Sequence, residues 1–261
     1  MISKTSTCAA LALAAVLAQG ATVRADEWDL ASLNDGGTTT NNALLHGSQQ
    51  VHDLGAQNTF SDEDWYAVAS RRFSSYQMVV DGMTGQIDLT EPDLQLLDPL
   101  GTTVQASATM ADFGGTLSLV WKNATASTVA QFARVWGASC GLVCLDNARY
   151  RIRFYDTTYT IARFNNSGTQ ATVLMVQNVG DRSCDVSYAF QSETGALLGL
   201  VDRTLPARGL DVFATAALVP NQSGSVRVAH TCGYGGLSGK AVSIEPAAGL
   251  AFDTQMVHRP H

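Results

Sequence analysis

The chain has 261 residues, with 16 basic against 23 acidic side chains and a formal net charge of −7. That balance argues against a nucleic-acid partner, because phosphates would be repelled over most of the surface. After the first 25 residues no apolar run approaches the length of a membrane span, and the length suggests one or two domains.

Residues 1–25, MISKTSTCAALALAAVLAQGATVRA, have the pattern of a secretory signal peptide. Lys4 supplies the positive start, and Cys8 to Ala18 form an apolar core too short to cross a bilayer. Val23-Arg24-Ala25 offers small residues for cleavage after Ala25. Cys8 lies before the apolar core ends, so it is not placed as a lipoprotein cysteine. A buried N-terminal helix is the alternative. Cleavage removes Lys4 and Arg24, leaving 14 basic against 23 acidic residues and a net charge of −9. The mature protein is expected to be secreted, periplasmic or held at the cell surface.

Residues 26–40 read as a polar leader within DEWDLASLNDGGTTTNN, which has no core of its own. A train of short alternating runs follows: WYAVAS, YQMVVDG, DLQLLD, TLSLVW and RYRIRFYD. In the last of these Tyr150, Ile152 and Phe154 share one face, and Arg149, Arg151 and Arg153 the other. That period of two is the mark of a half-buried antiparallel strand. A second train holds TVLMVQN, CDVSYAFQ, ALLGLVDRTL, LDVFATAAL, SVRVAH and KAVSIEP, punctuated by NVGD, SETG, PARG and PNQSG. Short strands with no long amphipathic helix predict an all-β chain of two antiparallel β-sandwich domains, at 41–156 and 157–261. The second is expected to be immunoglobulin-like. The boundary, near Asp156 to Ala162, has no Pro/Gly-rich linker, so close packing of the two is expected.

Outside the signal stretch the cysteines are Cys140, Cys144, Cys184 and Cys232. An even count in an exported chain suggests two disulfides, and three pairings are possible. Cys140–Cys144 with Cys184–Cys232 is favoured because each bond then stays within one domain. Zinc is the alternative, but C-x3-C followed by two distant cysteines fits no standard ribbon.

The stretch SDEDWYAVASRRFSSYQMVV sets three acids against a Trp-Tyr pair. Asp62 and Asp64 precede a strand, where carboxylates can cap turn amides. Trp65 and Tyr66 must point to opposite faces, and which goes inward stays open. The functional reading is calcium, with Asp62 and Asp64 joined by Asn41 or Asn42, since hard cations take several oxygen ligands.

These residues carry a family resemblance. The start NNALLHG, the turn DEDWY, Tyr76, the hairpin DLQLLDPLGTTV, the run Leu117 to Trp121 and the closing strand Arg149 to Phe154 resemble the bacterial pre-peptidase C-terminal domain over about residues 41–156. The resemblance implies a jelly-roll-like β-sandwich of the kind attached to secreted bacterial proteases, and some collagen-binding members hold calcium between the acidic turn and an N-terminal linker. Two departures stand out. The leader lacks the Glu pair of those members and offers only Asp35. AQFARVWG has Phe132 where the family usually has tyrosine, and the CGLVC insertion follows it.

Catalytic constellations are weak. The acids are adjacent on one turn, whereas glycosidases need opposed carboxylates. GGLSGK around Ser238 lacks the second spacer and the strand–turn–helix setting of a nucleophile elbow. His46, His52, His230, His258 and His261 read as solvated surface histidines, the last two in a terminal tail. Trp121 and Trp136 end alternating runs and can serve as core or as recognition aromatics. The resulting expectation is a non-catalytic binding or accessory protein contacting an extracellular polymer or protein. A surface or matrix structural protein and an unrecognised secreted hydrolase are the alternatives.

Overall fold

A computed structural model describes residues 28, 37–54, 63–85, 92–109, 115–137 and 148–259. The chain is all-β, with antiparallel sheets and no α-helix among the described residues. The strands of the first half are β1 (Gln49–Asp53), β2 (Glu63–Ser70), β3 (Ser74–Thr84), β4 (Pro92–Leu97), β5 (Val104–Thr109), β6 (Leu117–Asn123), β7 (Val129–Gly137) and β8 (Arg149–Asp156). They form two four-stranded sheets, in the orders β1-β8-β3-β6 and β2-β7-β4-β5. Inward residues of both sheets make one core, including Tyr66, Leu94, Leu96, Val135, Met78, Leu119, Ile152 and Phe154. This is the sandwich solution to alternating strands: each sheet buries one face against the other.

The second half contains β9 (Tyr159–Asn165), β10 (Ala171–Asn178), β11 (Cys184–Gln191), β12 (Leu197–Leu205), β13 (Leu210–Ala214), β14 (Ser223–His230), β15 (Leu237–Glu245) and β16 (Leu250–His258). They hydrogen-bond in the order β12-β11-β14-β9-β16-β15-β10-β13. The sheet turns back on itself at β16, which pairs with β15 through Leu250 to Gln255 and with β9 through Met256 to His258. A second, separate core fills the fold, including Ile161, Phe164, Val176, Val186, Tyr188, Phe190 and Val228. β11 and the edge strand β13 approach each other across it, where Tyr188 donates to Asp211 and packs edge-on against Phe213.

Several sequence features have local physical causes here. Asp98 accepts hydrogen bonds from the amides of Thr102 and Thr103, holding the DPLGT turn, and these bonds lower its carboxyl pKa below the usual range. Gly101 in that turn has φ +68°, and a Cβ there would sit 2.3 Å from Thr38 Cγ2 and 3.1 Å from the Trp65 ring. The Trp65–Tyr66 parity resolves with Tyr66 in the core. Trp65 lies on the other face under Arg134, with its ring N–H donated to Glu63.

The outward face of β10, β13 and β15 carries an apolar strip beside polar residues such as Gln177, Ser238 and Lys240. Leu210 and Val212 on β13 register beside Gln177 and Met175 on β10, and Val173 beside both Ala214 and Val242. Leu210 is 62% exposed, Val212 50% and Ile244 41%.

Candidate binding surface at the junction

Two of the residues expected around calcium, Asp64 and Asn42, fall into a buried network. Asp64 is 1% exposed and accepts a short hydrogen bond from the Tyr150 hydroxyl, which also meets the Tyr66 hydroxyl. His52 Nδ1 lies 3.5 Å from Asp64 Oδ1, and His52 Nε2 lies 3.0 Å from Gln50 Oε1. Gln50 in turn donates to Asn42 Oδ1. Burial, and then the Asp64 charge, push the Tyr150 hydroxyl well above its ordinary pKa. Asn41 faces solvent, and Asp62 lies outside the described residues. No group of three His, Cys, Asp or Glu side chains suited to a metal occurs among the described residues. The carboxylate of Asp64 is turned to protein donors and ties β2 to β8 and β1.

The histidines among the described residues are not the solvated side chains expected. His52 is 1% exposed and stacks between Trp28 and Tyr150. His258 lies on β16, not in a tail, and stacks between Tyr159 and Tyr234. His230 is buried: Nε2 donates to the Thr157 carbonyl and Nδ1 accepts from the Cys232 amide. That tautomer is neutral, and burial pushes the His230 pKa down to about 4. His46 Nδ1 accepts from the Asp156 amide. His261 lies outside the described residues.

Trp121 belongs to the core, stacked on Tyr76 and donating its ring N–H to Ser70, which removes it from any recognition surface. Trp136 is half-buried beneath Arg134. Ser238 is exposed on β15, in register with Gln177, rather than at an elbow. Cys184 and Cys232 form a disulfide between the starts of β11 and the β14–β15 connection, whereas Cys140 and Cys144 lie outside the described residues.

The two sandwiches meet through a polar seam. Thr158 Oγ1 accepts from the Ser75 amide, and Thr157 donates its amide to the Ser75 carbonyl. Arg259 pairs with Asp156 through a short contact and donates to Ser74 Oγ, with both members of the pair nearly buried. On the other flank Lys122 donates to Ser187 Oγ, 2.7 Å away. Gln77 accepts from the Tyr234 amide, and Tyr155 packs on Tyr234. The outward side of β11 and β14 is covered there, leaving Ala189 and Ala229 each 1% exposed.

At the margin of this seam the arginines gather. Arg71 and Arg72 occupy the β2–β3 turn, which Phe73 completes at φ +49°. The Arg71 amide donates to the Tyr76 hydroxyl, and the Arg72 guanidinium donates to the Gly195 carbonyl at 3.4 Å. Arg227 on β14 donates to the Arg72 carbonyl, also at 3.4 Å. Burial, and then the nearby Arg72 and Arg71 charges, hold the Arg227 pKa below the arginine norm. Among the described residues no carboxylate lies within ion-pair distance of Arg71, Arg72 or Arg227. The basic pair in SRRF is visible in the sequence. Arg227 has no local signal, because it reaches the pair from 155 residues away. An open groove of about 480 Å³ runs along β9 and β14 as far as Ser225, two residues before Arg227 on the same strand, lined by Arg163, Ser192, Glu193, Ser223 and Ser225 among others.

No protein-family model and no curated protein matches the sequence. Solved structures with some likeness include a β-glucuronidase from glycoside hydrolase family 2, at 10% identity over 82% of this chain and 25% of that one, with a TM-score of 0.22. A glycosyl hydrolase family 2 member from Bacteroides cellulosilyticus matches at 8% identity, over 78% and 30% of the two chains, TM-score 0.23. The full extracellular region of zebrafish Gpr126/Adgrg6 matches at 8% identity, over 84% and 33%, TM-score 0.27. The chain spans a quarter to a third of the length of these proteins, and likeness at such scores carries no inference.

Proposed function

We propose that the chain is an exported, non-catalytic binding or accessory protein that contacts an extracellular polymer or protein on the surface spanning its two sandwiches. The observation that carries this function is the gathering of Arg71, Arg72 and Arg227 at the junction, without a carboxylate partner among the described residues, in a chain of net charge −7. Like charges held together and partly desolvated are unfavourable on their own, so an external partner is the natural counter-charge. Export is supported by the signal-like first 25 residues and by the Cys184–Cys232 bond. Assignment of the first sandwich to the pre-peptidase C-terminal type rests on DEDWY and DLQLLDPLGTTV, whose Tyr66 and Asp98 serve as core anchor and turn cap.

Retention of the purified protein on insoluble cell-wall polysaccharides, on collagen and on soluble extracellular polymers tests this function. Binding to one class, lost in an Arg71→Gln/Arg72→Gln variant that melts normally, is the expected result. No retention on any of them overturns it.

A second function, a surface or matrix protein that self-associates, is favoured by the outward apolar strip carrying Leu210, Val212 and Ile244 beside the edge strand β13. Sedimentation velocity over a range of protein concentrations decides it: a dimer abolished by Val212→Lys supports it, and a monomer throughout removes it.

A further inference from the structure

We propose that the arginine cluster and the groove beside it form a site for an acidic polysaccharide, a sugar chain bearing carboxylate or sulfate groups. This inference rests on the binding function proposed above and names its ligand class. Arg72 and Arg227 hold anionic groups at the junction, Arg163 holds another along β9, and the hydroxyls of Ser223 and Ser225 meet sugar hydroxyls between them.

The chemistry of the lining carries the argument. Arg163 lines the groove, Arg72 reaches the Gly195 carbonyl at the end of the turn that carries Ser192 and Glu193, and Arg227 donates to the Arg72 carbonyl; none of the three has an ion-pair partner among the described residues. Among the described residues one carboxylate lines the groove, Glu193, and it accepts from the Ser223 hydroxyl. Guanidinium groups match carboxylate and sulfate oxygens with two parallel N–H donors, so spaced arginines suit charges repeated along a chain. The groove's 480 Å³ falls in the ~300–1,000 Å³ range of small-ligand sites.

The backbone shapes the groove for approach. Between Gly224 and Val226 the β9–β14 register shifts: Ala162 and Arg163 on β9 stand opposite Ser225 alone, a bulge in β9 that falls at the groove. A Cβ on Gly224 would lie 1.9 Å from the Gln191 carbonyl, so only glycine lets β14 and the Ser192 turn close together there. Among the described residues that line the groove no aromatic ring is accessible, since Phe164 is fully buried. Stacking on nucleobases along this lining therefore has no platform. Serine hydroxyls beside guanidinium groups fit a hydroxylated anion better than a lipid surface, which would want apolar side chains at the rim.

The test uses the full-length protein in affinity electrophoresis and biolayer interferometry, with polygalacturonate, dextran sulfate, unmodified dextran, duplex DNA and phosphatidylglycerol vesicles as probes. Polygalacturonate or dextran sulfate is expected to bind, and the stronger of the two identifies carboxylate or sulfate as the group held. Arg72→Gln and Arg163→Gln are each expected to weaken that binding about tenfold and to flatten its salt dependence. Both side chains are exposed, so an unchanged melting curve accompanies the loss. Equal affinity for DNA or vesicles, binding unaltered by both substitutions, or no binding to either acidic polymer overturns the proposal. Retention on a neutral polymer or a protein alone overturns this inference but leaves the binding function standing, whereas retention on nothing overturns both.

Discussion

Arg259, on the last turn of chain that the structure describes, is paired with Asp156, 103 residues earlier, at the point where the first sandwich hands over to the second. The pair is nearly buried, and Thr158 donates its amide to the other Asp156 oxygen. Removing one partner strands the other charge away from water. Arg259→Ala is expected to destabilise the protein by about 3–5 kcal/mol. Replacing both partners with apolar residues, Asp156→Leu with Arg259→Met, should restore much of the loss. Urea denaturation of the two variants checks this, and equal stability of single and double variants would contradict it.

His230 predicts acid sensitivity. Its folded pKa is about 4, against 6.5 for the free imidazole. Between those values the unfolded chain binds the extra proton, so the contribution is fully present above pH 6.5 and is lost as pH falls toward 4. The size is on the order of 3 kcal/mol. Thermal melts across that window should show stability falling as the solution is acidified, with a flatter profile in His230→Gln.

The Cys184–Cys232 bond closes a separation of 48 residues. In the chain-entropy account such a link stabilises by about 4 kcal/mol. Reduction with dithiothreitol, or the Cys184→Ser/Cys232→Ser variant, is expected to lower the unfolding midpoint accordingly. A midpoint unchanged by reductant would show that the bond does not constrain the unfolded chain.

The network around Asp64 separates a structural carboxylate from a calcium ligand. Tyr150→Phe deletes the hydroxyl shared by Asp64 and Tyr66, and should cost about 1–3 kcal/mol. Chelator is expected to leave the wild-type melting temperature unchanged, because the Asp64 carboxylate already faces Tyr150 and His52. A clear upward shift on adding calcium would reassign these oxygens to a cation.

Much of this fold could be read from alternation alone. RYRIRFYD became β8 with Tyr150, Ile152 and Phe154 inward, and CDVSYAFQ became β11 at its sequence bounds. The strands missed lack that signature for physical reasons. In β1 the buried positions are the polar His52 and Asp53, so no apolar beat marks it. β5 is VQASAT and largely exposed, and β16 mixes Phe252 with Asp253 while burying only Met256 fully. β9 begins where a connection was expected, and its Tyr159 and Ile161 are core residues. The junction was not legible, because Arg71, Arg72, Asp156, Arg227 and Arg259 acquire meaning only when two sheets far apart in sequence touch. His230 was misplaced on the surface for the same reason: its acceptor is a main-chain carbonyl, at Thr157, which no residue type announces.

The shared strand β16 sets an order of events. While residues 250–259 are still missing from a growing chain, β9 and β15 stand as two raw edges with no neighbour between them. The first sandwich holds all its own strands by residue 156 and can close meanwhile. The second must wait, gaping, with its hydrogen-bonding rims open to any passing strand. Residues 250–259 thus act as a zip fastener, and deleting them should yield a half-shut, sticky molecule.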